Sequence, residues 1–128
     1  MTHYHFIASN VEIESGYLEQ AKVEMDEKFE GSKCKVQYIL DYNPSKEMLT
    51  KVYEELHEHV AHNKHHDYIV LEIAYGLSAE GTPLKVNKRF KLDLEEFRKE
   101  HLIDLKEDEM VCVEWNRWLN QLHKNNNQ

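Results

Sequence analysis

Five of the nine histidines in this chain, His57, His59, His62, His65 and His66, fall within ten residues, and His3 and His5 form a further His-x-His pair. Imidazoles ligate metals when neutral and change charge near neutral pH, so chemistry is sought here first. A metalloprotease-like site needs His-Glu-x-x-His, which sets two imidazoles on one helix face. The text here, His57-Glu58-His59-Val60-Ala61-His62, spaces the outer pair by five. At ~100° per residue, His57 and His59 lie about 160° apart and cannot chelate one ion within a helix. His62 and His66 have i, i+4 spacing, provided the helix continues through Asn63 and Lys64. His3 and His5 share one face of a strand. Candidate ligands for a divalent metal such as zinc are therefore His3, His5, His62 and His66. A carboxylate such as Glu72 could join His3 and His5 if its strand neighbours theirs, and an open coordination position could activate water. Two plainer readings compete. Histidines gather at a helix end because the dipole favours their charged form, and polar residues line the open face of a sheet. A pH-dependent interface is a further alternative.

Other chemistry has less support. Cys34 and Cys112 lie far apart in apolar runs, forming neither a disulfide framework nor a CxxC site, and are expected to be buried, reduced thiols. There is no Gly-x-Ser-x-Gly elbow, Gly-x-Gly-x-x-Gly loop or P-loop, and no cofactor is expected beyond the metal alternative. The pairs Glu95-Glu96 and Asp108-Glu109 read as solvated faces. Trp115, Trp118, Leu119 and Leu122 have the spacing of one helical stripe. Such a stripe docks on its own sheet or, because aromatics dominate interface hot spots, on a partner.

The elements that would position these residues follow from periodicity. Residues 3–8 alternate as a strand. For residues 17–29, strand and helix compete; composition favours a helix ended by Gly31. In residues 33–42, Cys34, Val36, Tyr38 and Leu40 point one way, as in a strand. Asn43 can cap a helix with Pro44 at its first position, and that helix buries Leu49, Val52, Tyr53, Leu56 and Val60 before fraying near Asn63. Residues 68–75 form a continuous apolar run, the best central strand. Residues 76–83 carry turn residues, so 68–75 and 84–92 read as a long-looped hairpin. Asp93 can cap a short helix with Leu94, Phe97 and His101, and residues 110–113 form a short strand or helix start.

The order predicts an α+β fold: one domain over residues 1–124, with a mixed or mostly antiparallel sheet packed against helices and a disordered tail over 125–128. No run approaches the roughly 20 apolar residues of a membrane helix. The start lacks a secretory signal, so a soluble cytoplasmic protein is expected. A formal charge of −8 opposes non-specific nucleic-acid binding, and Lys85, Lys88, Arg89 and Lys91 read as an ordinary charged strand. The functional expectation is a small non-enzymatic interaction or regulatory module that contacts a protein partner or itself, as a C2 homodimer. The alternative is a histidine-based metal-binding protein, as in a metal-dependent hydrolase.

Overall fold

The computed structural model describes residues 2–14, 16–23, 34, 36–40, 43–78 and 86–117. In chain order the elements are β1 (Thr2–Ser9), α1 (Gly16–Gln20), β2 (Lys22–Val23), β3 (Val36–Ile39), α2 (Lys46–His62), β4 (Tyr68–Ser78), β5 (Lys88–Asp93), α3 (Glu100–Ile103) and β6 (Glu109–Asn116). The fold is α+β. Its six strands form one mixed sheet in the order β2-β3-β1-β4-β6-β5. All neighbours are antiparallel except β5 and β6. No helix among the described residues is long and apolar enough to cross a membrane.

Alternation along each strand divides the buried residues between two faces. Ile7, Tyr38, Ile69, Leu71, Ile73, Val111, Val113 and Trp115 pack with Leu49, Val52, Leu56 and Val60 of α2, Leu18 of α1 and Leu102 of α3. Phe6, Ala8, Val70, Ala74 and Met110 form a cluster on the opposite face, together with Cys34. β4 is apolar on both sides because it is central, flanked by β1 and β6. Cys34 thus belongs to a different cluster from Val36, Tyr38 and Leu40, and the expectation that the four point one way fails at Cys34.

Several local expectations give way to tertiary pairing. The cap of α2 is Ser45, whose hydroxyl accepts from the Met48 N–H at 3.1 Å. Asn43 instead takes the left-handed conformation (φ 52), which a short amide tolerates, and turns the chain before Pro44. In place of a helix from residue 17, α1 stops at Gln20 and β2 follows. The Ile39 N–H donates to the Ala21 carbonyl, and Lys22 pairs with Tyr38, so strand pairing outweighs helix propensity there. The rest of that segment, 24–29, and Gly31 lie outside the described residues.

The hairpin of 68–75 with 84–92 does not form. β1 and β6 occupy both edges of β4, which itself runs through Gly76 to Ser78. β5 pairs in parallel with β6 instead, across a crossover that carries α3. Asp93 and Glu96 close the start of that crossover reciprocally. Each carboxylate accepts from the other's backbone N–H, at 3.2 and 2.8 Å, yet the helix begins only at Glu100. Residues 110–113 belong to β6. Trp115 is a strand residue too, so it does not share a helical stripe with Trp118, Leu119 and Leu122; those three, and the 125–128 tail, lie outside the described residues.

Candidate functional site

The histidines divide among separate environments. His59 faces the sheet from α2 and is buried. The Asn63 Nδ2 donates to its backbone carbonyl at 2.8 Å and also lies 3.2 Å from its Nδ1. The first bond orients the amide, so Nδ1 must accept. On the other side, Nε2 lies 3.4 Å from Ser9 Oγ, which donates to the Val11 carbonyl at 2.6 Å. Nε2 therefore carries the proton, and donors run Asn63 to His59 to Ser9 to Val11. Desolvation, opposed by a hydrogen bond with the Val11 backbone and helped by a smaller contribution from His66, lowers the His59 pKa to about 4.

This serine–histidine pair, separated by 50 positions, carried no sequence signal. Its polarity is the reverse of an activated nucleophile, since Ser9 accepts a hydrogen bond from the imidazole rather than donating one to it. Ser9 is also wholly buried. The arrangement latches α2 to the end of β1.

His57 stacks on Phe97, with centroids 5.7 Å apart and planes 9° from parallel, and His101 lies 6.1 Å from the same ring. Tyr53 joins this group and donates its hydroxyl to the Phe97 carbonyl. His57 Nε2 is buried without a hydrogen-bond partner. His65 and His66 are exposed neighbours in the turn after α2.

The four candidate ligands fall at two ends of the sheet. His3 bonds Glu107 at 2.7 Å, and His5 packs 4.7 Å from the Tyr75 ring. Burial lowers the His5 pKa, opposed by a hydrogen bond with the Leu102 backbone. His62 ends α2, one turn beyond the residue that meets Ser9. Ser9 lies six positions from His3, roughly 20 Å along an extended strand. Asn63 caps the helix, so helical i, i+4 spacing does not extend to His66. Glu72 pairs with Ala8, which places it on the sheet face opposite His3 and His5. Among the described residues, no three His, Cys, Asp or Glu side chains converge as a metal site requires.

Cys34 is buried and Cys112 half-buried, both as free thiols. Burial and then the Glu114 and Glu72 carboxylates push the Cys112 thiol pKa up, which opposes thiolate chemistry.

Exposed basic and aromatic side chains stand together at the β5 edge. Lys88, Arg89, Phe90 and Lys91 are all exposed, Phe90 at 37%. Lys88 Nζ sits 5.0 Å from the Phe90 ring centroid, and Lys91 reaches Glu114 at 3.3 Å. Of the basic stretch read as an ordinary charged strand, Lys88, Arg89 and Lys91 lie on an outer strand, paired only with β6 among the described residues, and Lys85 lies outside the described residues. Beyond the shared carboxyl ends of β5 and β6 opens a cleft of about 370 Å³. Trp115 and Leu94 supply apolar wall, while Asp93, Glu95 and Glu96 supply carboxylates; Glu114 also lines the cleft, but it alternates with Trp115 along β6, so its side chain lies on the other face. Lys64 Nζ stands 5.9 Å from the Trp115 ring centroid. Trp115 itself is mainly core, 8% exposed.

No family model, curated protein or solved structure matches this chain.

Proposed function

We propose that the protein is a non-enzymatic interaction module that takes an extended, acidic segment of a partner protein along the outer edge of β5. The observation that carries this reading is the exposure of that strand at the end of the sheet order. An edge strand offers N–H and C=O groups as a template for another strand, and neighbouring side chains select which strand binds. Lys88, Arg89 and Lys91 reverse the sign of an otherwise acidic chain at this edge. Two copies of β5 placed side by side would oppose like charges, which favours an acidic partner over a homodimer through this strand.

The test is fluorescence anisotropy with a labelled, β-branched, Asp/Glu-rich peptide. Binding should weaken with salt, should disappear in Arg89→Glu/Lys91→Glu, and should slow amide exchange over residues 88–92. Equal binding of a Lys-rich peptide would overturn the charge argument. Binding without protection of β5 would place the contact elsewhere. Light scattering on the free protein would expose a homodimer.

A further inference from the structure

We infer that the cleft at the carboxyl ends of β5 and β6 is a binding site for an organic cation, an ammonium or guanidinium group of the kind a Lys or Arg side chain presents. This inference does not depend on strand pairing along β5. Three observations converge on it. The first is the cavity itself, about 370 Å³, with an aromatic ring and aliphatic side chains in its wall. A cation entering it keeps its polar contacts while its alkyl stem is covered.

The second is charge. Asp93, Glu95 and Glu96 line the cleft against Lys64, while Lys91 and Glu114, which alternate to the other face of the sheet, pair with each other at 3.3 Å. The reciprocal bonds between Asp93 and Glu96 fix both carboxylates in place while engaging one oxygen of each. Glu95, between them, is exposed and forms no ion pair among the described residues.

The third observation points to the ligand. The chain's own Lys64 ammonium stands over the Trp115 ring at 5.9 Å, which shows what group the ring face accommodates. The backbone there is anchored separately, because Arg117 donates to the Lys64 carbonyl at 3.0 Å and pairs with Asp67 at 3.6 Å. The exposed Lys64 side chain can therefore swing away without moving its turn. It is a displaceable stand-in for an external cation.

The experiment is a ¹H–¹⁵N NMR titration of the full chain with the Nα-acetyl methylamides of arginine, lysine and citrulline. Citrulline keeps the shape of arginine and lacks its charge. Saturable shifts of the Trp115 indole and of the residue 93–96 amides are expected with a cationic probe and not with citrulline. Whichever cation binds more tightly names the preferred head group. Glu95→Gln should weaken binding about threefold, and Lys64→Gln, which removes the competitor, should tighten it about threefold. The same spectra report whether each exposed-site variant is folded. Absence of saturable shifts, equal binding of citrulline, or unchanged or weaker binding in folded Lys64→Gln would overturn the inference.

Discussion

At the scale of the residue, His59 shows how burial converts a titratable group into a stability element. Its neutral form is fully used, with Nδ1 accepting from Asn63 and Nε2 donating towards Ser9. A second proton would have to sit on Nδ1, against the Asn63 amide. The folded pKa, about 4, lies below the unfolded value of 6.5, so between these values the unfolded chain binds more protons. This contribution is complete above pH 6.5 and is lost as pH falls towards 4. His5, lowered in the same direction, adds to the trend. Thermal melts should therefore show a midpoint that drops across that window, and a shallower drop in His59→Leu. An identical pH profile in the variant would remove His59 from the account. Phe97 makes a different case: it is 1% exposed, with His57 stacked on its ring and His101 and Tyr53 close by. Phe97→Ala should cost about 3–5 kcal/mol in urea unfolding, as large-to-small changes at a filled core site do.

At the scale of the element, α2 and β4 organise the molecule. The helix is set by its apolar spacing and its cap, so Ser45→Ala should cost about 1 kcal/mol by removing the acceptor for Met48 N–H. β4 is bonded on both edges and buried on both faces, while β5 is bonded to β6 and exposed. Amide exchange should consequently be slowest in 69–75, with 34–40 and the α2 core behind it, and fast in β5. Slowest exchange in 9–23 would contradict that order. The parallel pairing of β5 also has an element-scale cause: β6 occupies the edge of β4 and runs antiparallel to it, and β5 runs antiparallel to β4 as well, so β5 at the margin meets β6 in parallel.

At the scale of the whole molecule, net charge dominates behaviour in solution. Protonation of all nine histidines would move the charge from −8 to about +1. Buried His5 and His59 resist that change, so the folded protein should carry less positive charge near pH 5 than its composition implies. Solubility should be least near the sequence pI of about 5.6. Turbidity measured from pH 7.5 to 4.5 should peak close to that value, and a featureless trace would show that local charge asymmetry, not net charge, controls association. Such asymmetry is present: β5 is basic along its exposed edge and meets an acidic cleft at its carboxyl end.

What the amino-acid order determined by itself was whatever depends on neighbours in sequence. The stripe Leu49, Val52, Leu56 and Val60 specified a one-sided helix, and the apolar run of 69–75 specified a strand buried on both faces, because side-chain periodicity is a local property. The α+β class followed from those segments. Tertiary structure alone decided which strands met. Asp93 accepts from the Glu96 N–H but opens a turn and not the helix its sequence suggested, and whether β5 paired with β4 or β6 depended on which strands filled the edges of β4. It likewise set Ser9 beside His59, and Lys64 over Trp115, with 50 residues or more separating each pair. The histidine cluster was conspicuous as text and was then dispersed, since a helix points consecutive imidazoles in different directions and a sheet holds its two ends apart. The cleft left no mark in the sequence, because its carboxylates and its ring come from strand ends that meet only through a parallel crossover.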